Sequence, residues 1–246
     1  MRVAVALLAA AALALPACGA DGDDTLTVLA AASLTDAFTT LGRTFEGAHP
    51  GTDVDLSFGP SSGLARSIVE GAPADVFASA SPTAMARVVD ADAVAQLPTD
   101  FARNLLEIVV PRGNPGTVRG LDDLARDDLL VGLCAPDVPC GEVAARVLED
   151  AGVTPATDTE EADVRALLTK VAAGELDVGL VYETDVTAAG DDVEGIALPQ
   201  GAPAGTRYPV AVLREAGDPE LAEAFVAFVA GSEGQRVLRD LGFREP

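Results

Sequence analysis

Histidine is almost missing from this sequence: His49 stands alone among 246 residues, in the turn-like stretch Ala48-His49-Pro50-Gly51. A Ser-His-Asp hydrolase constellation is therefore not expected. Nor is a four-ligand zinc site, because three cysteines and this one imidazole lack the ligand spacing. Cations are also scarce. Sixteen Lys and Arg face 39 Asp and Glu, a net charge of −23. That balance argues against nucleic acid, which attracts proteins through Lys and Arg that displace its counterions. Taken naively, it argues against a small anion as well. After the first residues no apolar run approaches the roughly 20 needed to span a bilayer. The patterns G-x-S-x-G, H-E-x-x-H, G-x-x-x-x-G-K-[ST] and a helix-opening G-x-G-x-x-G are all absent, so the expectation is a binding protein and not an enzyme.

What is present begins with a leader. Met1-Arg2 precedes an unbroken apolar run over residues 3–15, and Leu15-Pro16-Ala17-Cys18 follows. The run has the length of a signal-peptide core. The four residues ending at Cys18 resemble a bacterial lipobox, in which the cysteine is diacylated and becomes the mature N-terminus; an ordinary cleaved signal is the alternative. The expectation is a signal peptide over 1–17, a lipid-anchored acidic tether over 18–24, and a protein exported to the extracytoplasmic face of the membrane or the periplasm. There thiols oxidise. Cys134 and Cys140, six positions apart, are expected to form a disulfide, with a pair of reduced buried thiols as the alternative.

The full sequence is 49% hydrophobic and 22% charged, enough apolar matter for a sizeable core. Strand-length apolar runs at 25–31, 53–58, 75–79, 105–110, 129–133, 176–182 and 208–213 alternate with helical periodicity. Helices are expected from Leu34 to Phe45, from Ser61 to a stop at Gly71, and around 82–89. Others are expected over 141–151, 161–173 and 221–229, with a short one over 235–241. Ser33 and Asp36 have the spacing of a capping box. Such alternation predicts an α/β fold of mostly parallel sheets with helices on both faces.

Two serines stand where a strand feeds a helix. Ser33 follows Ala30-Ala31-Ala32, and Ser61 follows Phe58-Gly59-Pro60. Ligands bind at such carboxyl ends in open α/β sheets. Helix N-termini carry unpaired amides and partial positive charge, so they hold an oxyanion without Lys or Arg. The plainer alternative is that each serine is only an N-cap.

Several runs carry a family resemblance: Ala30 to Ala37, Ser61 to Arg66, Gly71 to Phe77, Val138-Pro139-Cys140-Gly141, Asp163-Val164-Arg165, Gly179 to Tyr182, Tyr208 to Val212 and Leu241-Gly242-Phe243. Together they resemble the periplasmic molybdate-binding proteins of molybdate ABC importers. The resemblance implies a two-lobed type II periplasmic-binding fold, with one lobe of 25–102 plus 206–246 and the other of 103–205. It further implies that molybdate or tungstate is held by the hydroxyls of Ser33 and Ser61, the amides of Cys140 and Val164, and the Tyr182 hydroxyl. The metal arrives as its oxyanion, so neither a cofactor nor a directly bound metal is expected. The implied partners are the anion, a membrane permease, and the membrane through the lipid anchor, the protein itself being a monomer. Another tetrahedral oxyanion such as sulfate is the competing ligand. No carboxylate stands at the matched positions, which disfavours protonated phosphate.

Overall fold

The computed structural model describes residues 24–246; the leader and Cys18 lie outside the described residues. The first half alternates β1 (Asp24–Ala31), α1 (Thr35–Ala48), β2 (Thr52–Gly59), α2 (Ser61–Val69), β3 (Val76–Ala78) and α3 (Pro82–Asp90). A long strand, β4 (Thr99–Pro111), leads into the second half. There β5 (Val131–Cys134), α4 (Pro139–Ala151), β6 (Thr157–Glu161), α5 (Val164–Ala172), β7 (Val178–Tyr182), α6 (Glu183–Ala189) and β8 (Val193–Ile196) follow in turn. The return is made by β9 (Gly205–Val212), α7 (Pro219–Ala230) and α8 (Ser232–Asp240).

The strands run in the order β2-β1-β3-β9-β4-β7-β5-β6, with β8 on β4. Pairing is parallel within β2-β1-β3 and within β7-β5-β6, so the carboxyl ends of each set open onto one rim. The sheet is mixed because β4 and β9 pair antiparallel with their neighbours and with each other. The first part of β4 pairs with β9, from Thr99↔Val210 to Leu105↔Gly205, and its last part pairs with β7 and β8. One continuous strand therefore belongs to both halves.

Apolar periodicity explains the packing. Ala37, Phe38, Leu41 and Phe45 form the buried face of α1. Phe225 of the returning α7 meets both aromatics edge-on, with centroids 6.2 Å from Phe38 and 5.1 Å from Phe45. Fully burying each such ring contributes about 1.5–3 kcal/mol. This core draws on residues from both ends of the described chain, whereas a separate core lies wholly within residues 106–204.

Local expectations differ from the structure at several points. No capping box forms at Ser33: a 3₁₀ turn over Ala32–Leu34 intervenes, Leu34 is the N-cap of α1, and no side chain caps it. Cys140 is inside α4 as its second residue rather than preceding the helix. The helix expected from Glu161 is instead the end of strand β6 followed by α5 at Val164, because the Asp163 carboxylate caps the helix there. The strands β6 and β8 and the helix α6 carry no clear apolar period. Both β6 and β8 are largely exposed, so burial never selected one.

Candidate functional site

Four helix starts meet at one small cavity where the carboxyl ends of the two parallel strand sets face each other. Its lining includes Ser33, Ser61, Cys140, Val164 and Tyr182, so the structure brings all five expected residues together. The space enclosed between them is small. Among the described residues no Lys or Arg lines it.

Each wall is built by the element behind it. Ser61 is the first residue of α2, and Pro60, the N-cap, offers no side-chain acceptor to the helix amides. The Ser61 Oγ accepts the Ala80 amide at 3.0 Å. Ser33 lies in the 3₁₀ turn after β1, and its Oγ is 3.0 Å from the Tyr208 hydroxyl. In the facing half Val138 supplies no side-chain cap to α4, so the Cys140 amide, one residue in from Pro139, has no intrahelical partner. A disulfide joins Cys134 to Cys140, tying the end of β5 to the start of that helix. Gly141 follows, and a Cβ there would stand 1.9 Å from the Ala135 carbonyl oxygen, so only glycine lets the loop close over the helix start. At α5 the Asp163 Oδ1 accepts the amides of Arg165 and Ala166 at 2.8 and 2.9 Å, leaving the Val164 amide uncapped.

Tyr182 ends β7, is almost wholly buried, and its hydroxyl has no hydrogen-bond partner. Burial, reinforced by the neighbouring Tyr208 and Asp185, raises its phenol well above the usual range. Burial likewise raises Tyr208. Both phenols therefore remain protonated and able to donate. The cavity is thus ringed by hydroxyl and amide hydrogens at the positive ends of helices, a set that stabilises a compact anion without any cationic side chain.

Contacts between the halves surround it. The Ser81 hydroxyl donates to Glu142 Oε2 at 2.8 Å and Arg165 bridges to Asp36 on α1, while within residues 103–205 Asn104 Nδ2 donates to the Thr184 hydroxyl at 2.7 Å. Arg165 Nε also lies 3.6 Å from Asp185 Oδ1, and neither atom has a hydrogen bond. Burial raises the Asp185 carboxyl to about 7, with Arg165 opposing the shift.

Four contributors were not foreseen from sequence. Tyr208 and Asp185 act behind the lining residues, whereas Ala80, whose amide Ser61 accepts, and Asp163, whose carboxylate caps α5, belong to the lining. Tyr208 had a usable signal, since the chain contains only two tyrosines. Their ring centroids lie 6.1 Å apart.

The chain is similar to known proteins in both sequence and fold. The model of the bacterial extracellular solute-binding protein family matches residues 26–244. The molybdate-binding protein ModA of Mycobacterium tuberculosis (strain H37Rv) is 40% identical over 231 residues, covering 94% of this chain and 88% of the relative. Among solved structures, the periplasmic molybdate-binding protein of Azotobacter vinelandii superimposes with a TM-score of 0.78 at 20% identity, over 90% of this chain and 99% of that one. The sulfate-binding protein SubI of M. tuberculosis H37Rv gives 0.81 at 23% identity, over 90% and 87%. At those identities the two structures speak for the fold alone.

Proposed function

The chain belongs to the bacterial extracellular solute-binding proteins and, within them, to the family of the molybdate-binding proteins, and we propose on that premise that it captures molybdate, and tungstate with it, for an ABC importer. The observation that carries this reading is the Tyr182 hydroxyl, buried without a partner and facing uncapped helix starts across a cavity that lacks Lys and Arg. A buried donor left unmade costs about 1–3 kcal/mol, which a bound oxyanion recovers.

In this reading Ser33 and Ser61 donate their hydroxyl protons from one lobe, residues 25–102 plus 206–246. The amides of Cys140 and Val164 and the Tyr182 hydroxyl donate from the other, residues 103–205. Neutral donors match a fully deprotonated dianion, and closure excludes the water that would compete for them. Beyond roughly 8–10 Å the surface carboxylates are screened at physiological salt, so the net charge of −23 does not oppose binding at contact distance. Opening and closing proceed about β4 and β9, the two strands that cross between lobes. The closed shape is what the membrane permease recognises. Export by residues 1–17 and acylation of Cys18 keep the monomer at the extracytoplasmic face of the membrane.

Isothermal calorimetry with molybdate, tungstate, sulfate and phosphate tests the reading. The expected result is one tight site for molybdate and tungstate, with sulfate and phosphate bound far more weakly. Tighter binding of sulfate than molybdate would overturn it.

A further inference from the structure

A second feature of the crossing strands has no part in that cavity. Arg103 of β4 pairs in register with Arg207 of β9, and on its other side bridges Arg244 of the C-terminal segment. The Arg103 amide donates to the Arg244 carbonyl at 2.8 Å, and the Arg244 amide returns the bond at 3.0 Å. Residues directly opposite on antiparallel neighbours present their side chains on one face, with Cβ atoms about 4.5–5.5 Å apart. Three arginines therefore stand in a row, an arrangement that like-charge repulsion opposes. Arg146 approaches from α4, its Nη2 donating to the Gly205 carbonyl at 3.3 Å. All four line a cavity of about 530 Å³, within the range of small-molecule sites.

The local acids neutralise the two flanking arginines and leave the central one unpaired. Asp100 pairs with Arg207 at 2.7 Å and Glu183 with Arg244 at 2.9 Å. Glu142 also lines the wall, its Oε2 accepting the Ser81 hydroxyl, so three carboxylates stand against four guanidinium groups. The central Arg103 guanidinium has neither an ion pair nor a hydrogen bond among the described residues. Four of the sixteen cations in so acidic a chain thus surround one cavity.

We propose that this cavity is a second anion site, separate from the small cavity, which takes a small organic or inorganic oxyanion bearing at least two charged groups. Arginine forks match carboxylate and phosphate oxygens bidentately. The spacing along the row calls for charges a few ångströms apart rather than on a single tetrahedral centre. Citrate and pyrophosphate are suitable probes, and they separate a carboxylate ligand from a phosphate one.

The test is calorimetric titration of each probe into the full chain at fixed ionic strength, with chloride as the reference. At least one probe is expected to bind one-to-one, at least tenfold more weakly to Arg103→Gln and to the exposed helical variant Arg146→Gln. Ser61→Ala, whose side chain lines the small cavity and not this one, is expected to leave that binding unchanged. Heats no larger than chloride for both probes would overturn the proposal. So would affinities unaltered in both arginine variants, or lost in Ser61→Ala. None of these outcomes depends on whether molybdate is the ligand of the small cavity.

Discussion

The amide of Ala80 donates to the Oγ of Ser61 at 3.0 Å, which leaves the single hydroxyl proton of Ser61 free for the occupant of the cavity. Ser61→Ala removes both the acceptor and the donor. Its expected effect is a loss of about 1–3 kcal/mol in molybdate binding, read by calorimetry, with a smaller loss of thermal stability from the stranded Ala80 amide. Wild-type affinity in this variant would remove Ser61 from the site.

Tyr208 acts one step back. When its hydroxyl donates to the Ser33 Oγ, the Ser33 proton is directed away from Tyr208 and toward the cavity. Tyr208→Phe is expected to weaken molybdate binding by about 1 kcal/mol, and Tyr182→Phe by more, because only Tyr182 lines the cavity. Equal losses in the two variants, or none in Tyr208→Phe, would contradict this order of contact.

At Gly141 the obstacle to any side chain is backbone, since the Ala135 carbonyl oxygen would lie 1.9 Å from an added Cβ. That carbonyl also accepts the Val138 amide at 3.1 Å, so its displacement disturbs the whole approach to Cys140. Gly141→Ala should therefore destabilise the fold by roughly 1–3 kcal/mol in chemical denaturation and weaken anion binding as well. Gly120→Ala is the control: nothing lies within 4 Å of its Cβ position, and a change within about 0.5 kcal/mol is expected.

Asp185 supplies a pH dependence. Its carboxyl rises from 3.8 to about 7 in the folded protein, first through burial and then through Asp36 and Asp163, while Arg165 and the Tyr182 amide pull the other way. The folded state therefore holds a proton that the unfolded chain has released between those two values, and ionisation of this group opposes folding. Relative to Asp185→Asn, which does not titrate, the wild-type protein should lose stability as pH rises from about 4 to about 7 and change no further above it. Denaturation midpoints measured across that window check the sign. A difference that grows in the wild type's favour with rising pH would show that Arg165 holds the carboxyl ionised.

The alternation of strands and helices was legible in the sequence because it rests on neighbours within a turn or two: the apolar stripe of α1, the stop at Gly71, the left-handed Gly152 after α4. The serine at the start of α2 was legible for the same reason, as was the family resemblance that linked it to Ser33. Strands without a buried period, such as β6 and β8, gave no such signal.

Which polar atoms remain unpaired was settled by the tertiary structure alone. Ser33 looked like a cap and instead meets a tyrosine 175 residues away, while Asp163 takes two amides of α5 and leaves Val164 uncapped. The arginine row exists because the register of β4 against β9 and the C-terminal segment sets Arg103 between Arg207 and Arg244. Local sequence determines where a helix starts. Whether its first amides are free to hold an anion depends on partners that only long-range strand pairing brings within 3 Å or keeps away.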